Sequence, residues 1–255
     1  MKHTRWRGLI MVMAGTLLGT SGLATAAPSD KPPRVSLLEL YTSEGCSSCP
    51  PADRWVSELP RPQLVPDRLV VLAFHVDYWN YIGWPDRFSQ PKFTARQQQL
   101  VRVTGLRTAY TPQLVLNGRD YRRYGPIESE IAKLYAQAAN AHVTLRVTKK
   151  ASAIHVSAST ELLNAETGAT HLFVAVYENN LETEVKAGEN RGRRLRHDYV
   201  VRILLDPVTL VGGKARWEGD IPIARDWKAG DLGVAAFVQV ERSGEILQAT
   251  TQAVR

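Results

Sequence analysis

The chain has 255 residues, of which 44% are hydrophobic and 22% are charged, as expected of one or two globular domains and not of a disordered chain. Its formal net charge is +7, and three of the positive charges lie in the first seven residues, which leaves +7 less three, or +4, for the rest. A charge so modest and dispersed does not indicate nucleic-acid binding.

Residues 1–27 have the three parts of a secretory signal peptide. The basic start is formed by Lys2, Arg5 and Arg7. An apolar run from residue 9 to residue 23 follows, and small residues at 24–26 supply a cleavage site. A retained membrane anchor is the alternative, but the run is short and interrupted, which favours cleavage. We therefore expect a periplasmic or secreted protein with no membrane contact after cleavage.

After a linker at 28–34, helix and strand signals alternate up to residue 140. In chain order they predict a strand at 35–41, a helix at 52–59, a buried strand at 69–76, a helix at 92–103, a strand at 113–116, a return strand at 121–124 and a helix at 127–139. The turn Asn117-Gly118 joins the third and fourth strands as a hairpin. This is the order of elements in thioredoxin. We therefore predict that residues 35–140 form an α/β thioredoxin-like domain, a central mixed sheet flanked by helices.

The pattern changes in residues 141–255. Strand-like segments of mostly alternating character occupy 142–148, 153–160, 171–177, 199–205 and 234–240. No convincing helix signal separates them. This half of the chain is predicted to be a second, small all-β domain resembling a sandwich.

The two cysteines, Cys46 and Cys49, lie at the junction of the first strand and the first helix. A C-x-x-C pair in this position is typical of thiol–disulfide chemistry, which needs no cofactor. A disulfide across so short a loop adds little entropic stability, so a purely structural bridge is disfavoured. We predict that Cys46 is the exposed nucleophile and Cys49 the resolving thiol. If the helix begins at Pro50 instead, Cys49 lies near its N-cap and receives part of the dipole effect.

Two other residues are candidates for the same site. Pro112 directly precedes the strand at 113–116, where a cis proline would pack against the cysteine pair; an ordinary trans proline is the alternative. Glu39 interrupts the apolar strand before the cysteines. If buried, it would have a raised pKa and could pass protons to the resolving thiol, whereas on an exposed strand face it would have no such role.

A metal site is the second interpretation of these residues. His75 and Asp77 alternate along the second strand and so share a face. With Cys46 and Cys49, His75 could bind copper or zinc. The more common role of such a histidine is structural.

Two further segments have two interpretations each. The aromatic loop Tyr78–Phe88 could line a substrate groove or provide packing between the two domains. A basic cluster is formed by Arg191, Arg193, Arg194, Arg196 and His197. It is either a solvated loop or a docking surface for an acidic partner.

Several of these motifs together resemble a known family. They are the run from Leu38 to Asp53, the segment Phe74–Asn80, Tyr110-Thr111-Pro112-Gln113, Asn117-Gly118 and the segment from Arg194 to Arg202. This set is similar to DUF1223, a family of exported bacterial proteins with a thioredoxin-like domain. The resemblance implies that fold and export.

The sequence thus predicts an exported thiol–disulfide oxidoreductase whose partners are protein thiols or disulfides, or a redox partner protein. A copper- or zinc-binding chaperone-like module and a non-catalytic adaptor are the alternatives. The oligomeric state does not follow from the sequence.

Overall fold

The computed structural model describes residues 1, 31–60, 64–164 and 168–255. Residues 31–255 form one compact unit. The predicted signal peptide, apart from Met1, and the first part of the predicted linker lie outside the described residues. The rest of that linker contacts the segment after α3. Pro33 forms an isolated β-bridge with Ala138, and the N–H of Arg34 donates to the carbonyl of Gln137 at 3.0 Å.

Strands predominate over helices, at 42% and 16% respectively. The described residues contain three α-helices, which are α1 (Pro50–Ser57), α2 (Pro91–Thr104) and α3 (Glu128–Tyr135). The strands before residue 140 are β1 (Ser36–Thr42), β2 (Leu69–His75), β3 (Gln113–Leu116) and β4 (Arg119–Tyr121). Those after it are β5 (Ala141–Lys149), β6 (Ala153–Leu162), β7 (Thr170–Glu178), β8 (Leu181–Glu184), β9 (Arg194–His197), β10 (Val200–Leu204), β11 (Val208–Thr209), β12 (Lys214–Pro222), β13 (Leu232–Val240) and β14 (Ile246–Ala253).

One mixed sheet of nine strands runs through both halves of the chain. Its order is β14-β13-β7-β10-β2-β1-β3-β4, and β11 pairs with β7 beside this path. The two halves meet where β10 pairs in parallel with β2, Val200 opposite Ala73. On its other edge β2 pairs in parallel with β1, whose outer neighbour β3 is antiparallel. The apolar run of β2 is therefore buried on both faces and hydrogen-bonded on both edges.

The predicted fold class is consequently wrong. A helix-flanked thioredoxin-like α/β domain followed by a separate small sandwich would keep the strands of each half in separate sheets. Instead, strands from both halves share the nine-stranded sheet, and the described structure is mostly β rather than a helix-flanked α/β fold. The physical reason is that periodicity reports which faces of a strand are buried but not which distant strand occupies its edge.

Two smaller sheets complete the structure. The strands β12, β6 and β5 form an antiparallel sheet that packs against the β7–β13–β14 part of the large sheet, with Ile154, Val156 and Val234 in the shared core. The strands β8 and β9 form a hairpin. A second core lies around β1 and β2, where α2 contributes Phe93 and α3 contributes Ile131. Within the described ranges, no helix has the length and apolar character needed to cross a membrane.

Candidate functional site

Cys46 and Cys49 form a disulfide in the loop between β1 and α1, with their Cα atoms 5.4 Å apart. Both cysteines are buried, at 1% and 0% exposure, while Ser47 and Ser48 between them are exposed. The disulfide itself is thus covered, and solvent reaches the loop at its two serines. This differs from the predicted exposed Cys46.

Helix α1 begins at Pro50, which leaves Cys49 as its N-cap. The Cys49 carbonyl accepts hydrogen bonds from the N–H groups of Ala52 and Asp53 at 2.9 and 3.2 Å. The interpretation that placed the helix start at Pro50 is confirmed. The twin prolines cost the helix nothing, because the first N–H groups of a helix have no partner within it.

Pro112 lies beside the disulfide loop, and the Thr111–Pro112 peptide bond is cis, as predicted. Both segments line a groove of about 540 Å³. Ser48 and Pro51 line it from the disulfide side. Its other walls are formed by Pro112 and the aromatic side chains Tyr110, Tyr121 and Tyr124. The arrangement is an apolar surface next to a disulfide, which suits an extended polypeptide.

One contact links Cys46 to a residue of this groove. Its Sγ lies 3.3 Å from the hydroxyl oxygen of Ser48, which lines the groove. Tyr110 stays neutral there, since burial and the hydrogen bond that it donates to Asp120 at 2.7 Å raise its pKa to about 12. The groove therefore presents hydroxyl groups and rings rather than anionic phenolates.

Glu39 is fully buried but faces away from α1. Thr42 of the same strand faces Asp53 on α1, and strand residues alternate, so Glu39 lies on the opposite face. There its Oε1 accepts a hydrogen bond from Nε of Arg96 on α2 at 2.7 Å. The Arg96 guanidinium in turn lies over the rings of Phe173 and Phe237. The contacts of Glu39 are those of a buried core ion pair.

His75 ends β2, and its Nδ1 lies 2.6 Å from Oδ2 of Asp86. Asp77, the other residue of the predicted face, accepts a hydrogen bond from Thr94 on α2 instead. In the part of the chain that the structure describes, no three His, Cys, Asp or Glu side chains are arranged to hold a metal ion. The structure therefore gives the alternative set Cys46, Cys49 and His75 no geometric support as metal ligands.

A buried polar cluster, which we call the acid–histidine cluster, lies beneath the disulfide. It consists of Glu44, Asp53, His75, Asp86 and His197. The rings of His75 and His197 are 4.9 Å apart, and Nε2 of His197 lies 3.3 Å from Oε1 of Glu44. The cluster brings three carboxyl groups and two imidazoles together at buried positions.

Charges within this cluster shift one another's ionisation. Burial favours the neutral form of Glu44, but hydrogen bonding and attraction to His197 outweigh it and lower its pKa. Asp53 behaves in the opposite way, because burial dominates and raises its pKa. Two neighbouring carboxyl groups thus differ in their readiness to hold a proton, which is typical of acid–base sites.

The loop between β8 and β9 is hydrogen-bonded to the disulfide loop. The side-chain amide of Asn190 donates to the carbonyls of Glu44 and Cys46 at 2.8 and 2.9 Å, and Asn190 is fully buried. Glu189 accepts a hydrogen bond from the backbone N–H of Ser47 at 3.1 Å. The loop conformation therefore depends on residues that lie 142–146 positions away in the sequence.

The basic cluster divides between two environments. On β9, Arg194 and Arg196 are exposed and pair with Glu182 and Glu184 of β8. His197 is buried, at 2% side-chain exposure, because alternate residues of the strand face opposite sides. Once β9 is recognised as a strand, the alternation of exposed and buried positions along it distinguishes the buried His197 from the exposed arginines.

Two tryptophans of the aromatic loop donate hydrogen bonds to residues beside the site. The indole N–H of Trp84 donates to Oε2 of Glu44 at 2.9 Å, and that of Trp79 donates to the hydroxyl of Thr111 at 2.6 Å. These contacts connect the segments before Cys46 and before Pro112. Packing between the two halves of the chain involves Phe88 of this loop, which shares a small core with Leu181 and Val200.

Comparisons with known proteins place the chain in a family. The family model described as "Protein of unknown function (DUF1223)" matches residues 37–239. Protein AGR_C_4864 from Agrobacterium tumefaciens is 27% identical, covers 87% of this chain and 96% of its own, and superposes with a TM-score of 0.60. HBP35 of Porphyromonas gingivalis is 18% identical, with coverages of 88% and 76% and a TM-score of 0.65, a likeness of fold alone. No curated protein matches the sequence. Because the family model spans most of the chain, this protein belongs to the DUF1223 family.

Proposed function

We propose that this protein is an exported thiol–disulfide oxidoreductase that exchanges the Cys46–Cys49 disulfide with cysteines of other exported proteins. The N-terminal leader supports a periplasmic or secreted location, where a disulfide can persist. The observation that carries the proposal is the disulfide at the start of α1, beside an apolar groove shared with Pro112.

The covalent steps follow thiol–disulfide exchange. In the reduced protein, the Cys46 thiolate attacks one sulfur of a partner disulfide and forms a mixed disulfide, and the other partner sulfur leaves as a thiolate. The Cys49 thiolate then attacks Sγ of Cys46, which forms Cys46–Cys49 and releases the second partner thiolate. Two electrons pass to the partner, and the two leaving thiolates take up protons from water. The reverse sequence oxidises a partner dithiol.

The groove supports a protein partner rather than a small thiol alone. Its volume of about 540 Å³ and its tyrosine walls can take an extended segment on either side of a partner cysteine. Because both cysteines are buried in the oxidised state, the loop that carries them must shift before a partner can reach Cys46.

Redox titration tests this proposal. The native protein is equilibrated with glutathione buffers of graded potential, and the fraction of Cys46–Cys49 disulfide is measured after acid quench. We expect a reversible two-electron transition. In parallel, Cys49→Ser should accumulate a mixed disulfide with a disulfide-bonded peptide, whereas Cys46→Ser should not. A bridge that exchanges only after the protein unfolds would contradict the proposal.

A further inference from the structure

Asp53 lies one helical turn after Cys49. Residues four apart on a helix share a face, with Cβ atoms about 5–6 Å apart. The N–H of Asp53 donates to the carbonyl of Cys49 at 3.2 Å, and Asp53 is only 6% exposed. The side chain of a largely buried aspartate is thus placed one helical turn from the resolving cysteine, on the same face.

His197 reaches the same place from β9. Its Nδ1 lies 4.0 Å from Oδ1 of Asp53, while its Nε2 faces Glu44. Neither ring nitrogen of His197 makes a well-aligned hydrogen bond among the described residues, although the side chain is buried. The ring of His197 thus lies between the carboxyl groups of Asp53 and Glu44 and attracts both.

Asp53 also has a connection to solvent. It lines a second cavity of about 470 Å³, between α1 and β9, which shares no lining residue with the groove. Charged residues around this cavity include Arg54, Glu58, Arg194, Arg196 and Asp198. A proton that reaches Asp53 can therefore exchange with water without entering the groove that a partner would fill.

We infer that Asp53 accepts the proton of the Cys49 thiol during resolution and that His197 positions and electrostatically tunes Asp53 for this step. The inference rests on the proposed thiol–disulfide exchange. The proton leaves Cys49 for the Asp53 carboxylate, the resulting Cys49 thiolate attacks Cys46, and Asp53 then releases the proton to water. In the reverse direction Asp53 returns the proton to Cys49.

The ionisation of Asp53 follows from its neighbours. Burial raises its pKa, and attraction to His197 and His75 partly offsets that rise. The groups that face it from the packed elements are His75, Asp86, His197, Thr42 and Tyr124. Since Asp53 must be ionised to accept a proton, the rate of resolution should increase as pH rises through its pKa.

Two-stage release of a coloured thiolate tests the inference. The reduced protein is mixed with an aromatic disulfide whose thiolate absorbs visible light. Attack by Cys46 releases the first thiolate, and attack by Cys49 on the mixed disulfide releases the second. Asp53→Asn should slow the second release about 100-fold, the lower range of general acid–base effects, and leave the first unchanged. It should also remove the pH step that belongs to Asp53.

Two further variants complete the experiment. His197→Gln should move the pH step to higher pH, because it removes the attraction that lowers the Asp53 pKa. Glu58→Gln, an exposed carboxyl of the same cavity, is the matched control and should behave as wild type. An unchanged second release and pH profile in Asp53→Asn overturns the inference. If that variant does not fold, an unchanged profile in His197→Gln overturns it. No second release from the wild type contradicts the proposed function itself.

Discussion

The Nδ1 atom of His75 lies 2.6 Å from Oδ2 of Asp86, and both side chains are fully shielded from solvent. The same Asp86 oxygen accepts the backbone N–H of Glu44 at 2.8 Å, two residues before Cys46. Asp86 therefore links the end of β2 to the loop that carries the disulfide. The pKa of His75 is raised, because Asp86 outweighs the effect of burial. The pKa of Asp86 is lowered, because His75 and two backbone N–H groups outweigh burial there.

These shifts predict how stability depends on pH. The pair should stabilise the fold most between about pH 4 and 6.5, the ordinary pKa values of aspartate and histidine. Above that range, the stabilisation by the pair is lost as pH rises through the raised pKa of His75. Below that range, the stabilisation is lost as pH falls through the lowered pKa of Asp86. His75→Gln should remove this dependence and cost about 3 kcal/mol, as for a broken buried ion pair.

Urea unfolding at a series of pH values measures this effect. His142→Gln, at an exposed histidine, is the control and should retain the wild-type curve. A His75→Gln protein with the wild-type pH dependence would show that the pair makes no net contribution.

Glu39 should matter for stability and not for exchange. Glu39→Ala leaves the Arg96 guanidinium buried without its carboxylate and should lower the free energy of unfolding by about 3–5 kcal/mol. Both stages of thiolate release should keep the wild-type rates and pH profile, since Glu39 faces α2. A changed pH profile of the second stage would return Glu39 to the proton-transfer role that its sequence position suggested.

The groove should discriminate between protein and small-molecule partners. Tyr124 is 53% exposed and lines the groove, so Tyr124→Ala should reduce kcat/KM for a disulfide-bonded polypeptide about 5-fold, a loss of about 1 kcal/mol. Exchange with glutathione should not change. Tyr81→Ala is the matched control, because Tyr81 is 82% exposed and outside the groove. Equal losses for the polypeptide and glutathione would argue against a polypeptide groove.

Asn190 should protect the disulfide. Asn190→Ala removes two buried hydrogen bonds to the loop and should cost about 1–3 kcal/mol of stability. The released loop should expose the sulfurs, so dithiothreitol should reduce the native disulfide faster. Glu189→Gln, which alters a single exposed contact to Ser47, provides the comparison and should have a smaller effect. Unchanged reduction kinetics in Asn190→Ala would show that loop opening does not control access.

Local elements were largely predictable and their assembly was not. The strand Gln113–Leu116 and the order of elements through residue 140 follow from periodicity and turn residues, and the structure confirms them. The strands β8, β9, β11, β12 and β14 were missed. Short strands such as β9, with its run of basic residues, lack the apolar signal that marks a strand. The pairing of β10 with β2 joins segments more than a hundred residues apart, which no local pattern encodes.

The site shows the same division. Cys46, Cys49 and the cis Pro112 are recognisable because each belongs to a motif, and the proline-rich start of the helix is compatible with a first turn at Pro50. Asp53 and His197 lie in recognisable segments that indicate no role for either side chain, and Asn190 lies in none. Their importance arises from burial and from contacts across the fold, which are properties of the assembled structure. Glu39 was predicted from the sequence, and its carboxylate is buried, as the proton-transfer role would require. However, strand alternation directs it toward Arg96 and away from α1.

The parallel pairing of Val200 with Ala73 has a consequence for how this chemistry can be inherited. It draws His197, three residues earlier, beneath a cysteine pair encoded near the other end of the chain. A segment ending at residue 140 would carry the C-x-x-C motif without Asn190 or His197, and with one edge of β2 open. Transfer of the cysteine motif alone to another protein would therefore not transfer the site. Substitutions in either half of the gene can change the site, but the complete site requires both halves.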